Sequence, residues 1–250
     1  MKKMQILLLL LVGIHFTQAQ GVFGKIGDAI KKDSLKNKIP GMNQVTQTGL
    51  SNEEIIAGLK EALNTGTSKA SSLLAQKDGF FANAAIKIMM PEEAQQVEKT
   101  LRKFGMSKLV DDAILSMNRA AEDACNNGVD SIFMNAIKKM TIADGMSLLK
   151  GNDTAATAYL RKTTSNDLLQ KIKPVIESSL QKTNATKYWN DLFSQYNKFS
   201  GKKIETDLSL YVSQKGLNGL FYQIAQEEQQ IRKNPAARIT DLMKKVFGGK

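Results

Sequence analysis

From Ile55 to Phe247 the apolar side chains recur at intervals of three and four rather than two, and only four prolines interrupt the 250 residues. A period near 3.6 gathers apolar residues on one face of an α-helix. The spacing therefore predicts an all-α, single-domain multi-helix bundle of roughly 8–10 helices. One stretch breaks the period: Ile86 and Ile88 flank Lys87 in alternation just before Pro91, which predicts a short extended segment near 84–90.

Local signals mark the helix ends. Ser51-Asn52-Glu53-Glu54 is a capping box that opens a first helix with a stripe of Ile55, Ile56, Leu59, Leu63, Ala70, Leu73 and Leu74, closed by Asp78-Gly79. Pro91-Glu92-Glu93 starts the next, with acids at the positive end of its dipole, and Gly105 stops it. A helix through Val110, Ile114, Met117 and Ala121 places Cys125 at its end, before Asn126-Asn127-Gly128. Helices over about 130–139 and 142–150 follow, then one through Tyr159 and Leu160. Ser165 is expected to cap a further helix, with Pro174 kinking or restarting it. Tyr188, Trp189, Leu192, Phe193 and Tyr196 fall on an aromatic-rich helix ended by Gly201. The longest segment, about 206–233, carries Leu210, Leu217, Leu220, Phe221, Ile224 and Ile231, and its Gly216 and Gly219 are expected to admit a neighbouring helix closely.

Residues 1–19 read as a secretory signal peptide: Lys2 and Lys3, an apolar run from Ile6 to Ile14 too short to span a bilayer, then small residues at Thr17 and Ala19. Export places the protein in the periplasm or at the outer-membrane periphery, or outside the cell. Cleavage there would remove the only histidine, His15, and leave a chain with one cysteine. Without imidazole there is no Ser-His-Asp or Cys-His pair and no His-ligated zinc. Any catalysis then falls to carboxylates, Lys, Tyr, Ser/Thr or a carboxylate-bound metal; no cofactor is expected.

Basic residues outnumber acidic ones, 35 to 24, but the excess is concentrated in 20–50 and 231–250 while the body between them is nearly neutral. A nucleic-acid-binding domain carries its basic excess on the folded body, so nucleic acid is an unlikely partner. In the basic N-terminal segment or linker, 20–49, Phe23 and Ile26 share a helical face while Lys25, Lys31 and Lys32 occupy others. Lys244 and Lys245 beside Phe247 repeat the arrangement near the C-terminus. Such helices either lie on an anionic membrane or dock on the core.

Three groups of residues are candidates for a ligand or partner pocket. Arg119 lies within helical reach of Glu122 and Asp123 and reads as an ion pair or a pocket lining. The run from Gly151 to Arg161 joins a flexible break to a helix start, so that Asp153, Thr154, Thr157, Tyr159 and Arg161 could surround an anion; Asn152 or Asp153 is more simply an N-cap. Glu228 and Arg232 form an i to i+4 pair expected on a solvated face; Glu227 and Glu228 point about 100 degrees apart and make no catalytic dyad. Cys125 reads as a small buried apolar residue.

The strings GLKEAL (58–63), DGF (78–80), MNRAAE (117–122), DTAATAYLR (153–161) and GLFYQIAQEEQQIRKNPAAR (219–238), in this order, resemble the bacterial domain-of-unknown-function 4197 family over nearly all of 50–248. The resemblance implies an exported, mostly helical bacterial protein and assigns no activity. Where the family pattern reads KALDGLF, this chain has Lys215-Gly216-Leu217-Asn218-Gly219-Leu220-Phe221, so Asn218 replaces an acid. The expectation is an exported, non-catalytic helical domain, 50–248, binding an envelope protein or small ligand. Peripheral attachment to anionic lipid through the basic ends is the alternative, and a histidine-independent carboxylate enzyme is a third reading.

Overall fold

The computed structural model describes residues 49–200 and 207–249. Among them the chain is all-α, with nine α-helices, two short 3-10 turns and no strand. We number the helices α1 (Asn52–Leu74), α2 (Gln95–Lys103), α3 (Ser107–Asn126), α4 (Val129–Lys139), α5 (Gly145–Lys150), α6 (Ala155–Lys182), α7 (Ala185–Ser200), α8 (Leu208–Lys233) and α9 (Asp241–Phe247). The N-terminal residues Phe23, Lys25, Ile26, Lys31 and Lys32 lie outside the described residues.

Helix α1 starts where the capping box predicts. Glu54 N donates to Ser51 Oγ at 3.1 Å and Ser51 N donates to Glu54 Oε2 at 3.0 Å, so each side chain satisfies the other's free backbone donor. Its inward face is close to the predicted stripe, with Ile55, Leu59, Leu63, Ala70 and Leu74 buried, but Leu73 is 46 % exposed. Gly105 and Gly128 have φ of +79° and +99°, the left-handed backbone that suits glycine between helices.

Helix α8 is the axis of the bundle, packing along α1 on one side and α6 on the other, with α3 and α4 completing the layer around it. The buried core runs without a break from Leu50 to Phe247. Phe133 of α4 meets Phe221 of α8 edge to face, ring centres 5.3 Å apart. Of the two glycines expected to admit a helix, Gly216 does face α6 and α3, through Ile176 and Ala121. A Cβ on Gly219 would instead lie 2.5 Å from Cε1 of Phe80, so this gap admits a ring from the loop after α1.

Several boundaries differ from the sequence reading. Ser165 caps nothing: α6 runs unbroken from 155 to 182 through Ser165 and Pro174, and Ser165 Oγ donates back to Arg161 O at 2.6 Å. Tertiary packing of Leu160, Leu168, Ile172 and Ile176 outweighs the backbone bond that Pro174 cannot donate. Helix α5 begins at Gly145 rather than at 142, with Asp144 as N-cap accepting from Ser147 N at 2.8 Å. The extended piece is shorter than 84–90: residues 84–86 form a turn, and alternation of burial runs from Ile86 to Met90.

The C-terminal amphipathic helix docks on the core. Met243, Val246 and Phe247 of α9 are buried against α1, where Gly58 leaves room for Val246, and Lys245 Nζ pairs with Glu54 Oε1 at 2.5 Å. Phe247, expected as a membrane contact, is enclosed, with the Arg232 guanidinium 5.7 Å from its ring centre. Lys244 remains on the surface, paired with Asp241 at 3.1 Å. No described helix is long and apolar enough to cross a membrane.

Candidate functional site

The predicted pocket residues do not form one site. Most of them separate into two closed clusters, one at the junction of α5, α6 and α8 and one at the loop after α1, while Tyr159 and Arg161 lie outside both.

In the first, Glu228 and Arg232 are buried, not solvated. Helix α6 begins without a side-chain cap on Thr154; Asn152 Oδ1 accepts Thr154 N instead, and Asp153 pairs with Lys233 at 2.7 Å. The free N–H groups of the first turn point at Glu228: Ala156 N donates to Oε1 at 3.0 Å, and Thr157 N and Thr157 Oγ1 donate to Oε2 at 2.7 and 2.6 Å. The anion that the 151–161 segment was built to hold is thus the protein's own carboxylate. Arg232 Nε donates to Glu228 Oε1 at 2.8 Å, and its terminal nitrogens donate to Leu149 O and Leu148 O at 2.8 and 3.0 Å. One i to i+4 pair therefore closes the C-terminal end of α5 and the N-terminal end of α6 together. A buried ion pair is tolerated because both charges are matched and hydrogen-bonded.

Two predicted residues lie beyond this knot. Tyr159 donates its hydroxyl to Thr141 O at 2.5 Å. Arg161 donates to Asn218 Oδ1 and lies over the Phe221 ring, 5.1 Å from its centre, so the position where the family pattern has an acid still receives this guanidinium.

In the second cluster, buried Glu122 accepts Phe80 N and Phe81 N at 3.1 and 3.2 Å on one oxygen and Arg119 on the other. Arg119 also donates to Asp78 at 2.6 Å, a partner that local spacing does not reveal. Burial alone would lower the Arg119 guanidinium, but its bonds to Asp78 and Glu122 outweigh that and raise it. Asp123 does not take part; it turns to Ser179 and Lys182 of α6.

Sequence reasoning passed over Asn118, fully buried one residue before Arg119. Its Oδ1 accepts Ile88 N at 2.9 Å and its Nδ2 donates to Ile88 O at 2.8 Å and to Ile114 O at 2.8 Å. A side-chain amide that exchanges both bonds with one residue takes the place of a neighbouring strand. Tyr211 adds a bond to the next carbonyl, Met89 O, at 2.8 Å. Beside this segment an open depression of about 430 Å³ is lined by Asp78, Phe81, Ala82, Ala84 and Lys87, with the Lys87 ammonium 3.8 Å above the Phe81 ring.

Cys125 is buried as expected, and burial pushes its thiol up to about 12, with Asp130 and Glu122 adding to the shift. Among the described residues no group of three or more His, Cys, Asp or Glu is placed to hold a metal ion.

The sequence profile of the family described as "Protein of unknown function (DUF4197)" matches residues 49–248. The chain belongs to this family. No curated protein and no solved structure matches the chain. The DUF4197 segment holds both clusters, the segment paired with Asn118 and the docked C-terminal helix.

Proposed function

We propose that this DUF4197 protein is exported through the leader-like residues 1–19 and acts in the bacterial envelope as a non-catalytic helical binding protein. The observation that carries the reading is the engagement of both buried carboxylates. Every oxygen of Glu122 and Glu228 is occupied by backbone N–H groups, a hydroxyl or an arginine. A general acid, base or nucleophile has to present an open lone pair or proton to its substrate, and these carboxylates spend theirs on holding loops and helix ends. The groups left facing solvent around the loop after α1, an aromatic ring under a lysine beside an open depression, suit recognition.

Native mass spectrometry of the chain purified from the envelope of an expressing bacterium, with cross-linking in cells, tests this. A defined added mass or a reproducible cross-linked partner is the expected result. Turnover of model ester, peptide, phosphate or glycoside substrates that is lost on changing Arg119 or Glu228 would overturn it.

A further inference from the structure

Ile88 has both backbone groups taken by Asn118, which sits on the inner edge of the segment. In an extended chain the groups of the flanking residues point the other way. Among the described residues, Lys87 O and Met89 N have no hydrogen-bond partner; Lys87 N bonds Asn83 O, and Met89 O takes the Tyr211 hydroxyl. Side chains follow the same alternation: Ile88 and Met90 are buried, Lys87 is half-buried, and Met89 is 48 % exposed. A carbonyl and an N–H two residues apart are what one residue of a parallel strand bonds, donating to the first and accepting from the second.

We propose that residues 87–89 are an edge to which an extended peptide adds in parallel, carrying an acidic side chain beside Lys87 and an apolar one beside Met89. The assignment rests on the binding reading above and names its partner class as a short acid-x-apolar peptide segment. Charge sets the order of the two side chains. Asp78 is neutralised by Arg119, and Glu93 lies near Tyr211. Lys87 has no carboxylate partner among the described residues; its ammonium sits 3.8 Å over the Phe81 ring. The depression beside Lys87 leaves room for the incoming carboxylate. On this edge Lys87 N and Met89 O are already bonded, to Asn83 O and the Tyr211 hydroxyl, so the contact is short. Main-chain bonds would supply affinity and the alternate side chains specificity.

The test is an NMR titration of the ¹⁵N-labelled chain with the peptide Ac-TTDTLTT-amide, its order-reversed form Ac-TTLTDTT-amide and the charge-reversed Ac-TTKTLTT-amide. The expected result is saturable shifts at the Lys87 to Met89 amides with the first peptide, weaker by on the order of fivefold with the other two. Lys87→Glu, at a half-exposed position that leaves the fold intact, should reverse the preference between the first and third peptides. Equal binding of all three peptides, an unchanged preference in Lys87→Glu, no shifts at millimolar peptide, or concentration-dependent pairing of two copies through this edge would each overturn the proposal. Such a failure leaves the broader binding reading to be judged by the native mass measurement.

Discussion

The Glu228 carboxylate accepts the backbone N–H of Thr157 at 2.7 Å, across 71 residues of sequence, and so serves as the cap that helix α6 lacks locally. Helix N-termini usually find their acceptor in the residue just before them. Here the acceptor comes from the far end of another helix and brings its own counterion, Arg232, which closes α5 with the same gesture.

Removing either partner leaves the other charge buried and several backbone groups unmatched. Glu228→Ala and Arg232→Ala should each lower unfolding free energy by about 3–5 kcal/mol, read by urea denaturation. The double variant should lose less than the sum of the two, and a coupling near zero would mean that the pair does not act as a unit.

Two glycines three residues apart in α8 should respond with opposite signs. A Cβ on Gly216 would meet Ile176 Cδ1 at 3.8 Å, an ordinary contact in an apolar cleft, so Gly216→Ala should stabilise by up to about 1 kcal/mol through helix propensity. On Gly219 it would meet Phe80 at 2.5 Å, so Gly219→Ala should destabilise by about 1–3 kcal/mol. Thermal unfolding of both variants decides the signs, and Phe80→Leu should relieve part of the second loss.

Asn118 should not tolerate its isostere. Asn118→Asp keeps an acceptor for Ile88 N but turns a buried carboxylate toward Ile88 O and Ile114 O, which until then received hydrogen bonds. We expect a loss of about 2–3 kcal/mol or more and faster hydrogen exchange at Ile88. Exchange there unchanged from wild type would show that the segment is held by other contacts.

Cys125 should be inert until the protein unfolds. With burial pushing the thiol up to about 12, the reactive thiolate is scarce in the native state at pH 8, and access is closed as well. Iodoacetamide should label it only in guanidinium chloride. Rapid labelling without denaturant would contradict the packing around α3.

The helical architecture was legible because burial in a bundle writes itself into spacing: Ile55, Leu59 and Leu63 recur at four, and the cap at Ser51 stands beside the donor it serves. What could not be read were bonds between positions far apart in the chain. Glu228 and Arg232 look like any solvated i to i+4 pair, and only the arrival of α5 and α6 buries them. Asp78 looked like a turn residue and Asn118 drew no reading, since Arg119 lies 41 residues from the first and Ile88 30 residues from the second. Ser165 misled for the opposite reason: a good capping residue was placed inside a helix that packing kept continuous.

The distant cap also bears on the order in which the molecule can be completed. A polypeptide grows from its N-terminus, so all of α5 and α6 is synthesised before residues 228–232 exist. Until they emerge, the junction between these helices has exposed amides on one side and exposed carbonyls on the other, with no side chain to meet them. The first two-thirds of the bundle therefore waits, incompletely closed, for the last long helix, and its final locking is a late, long-range event rather than a local one.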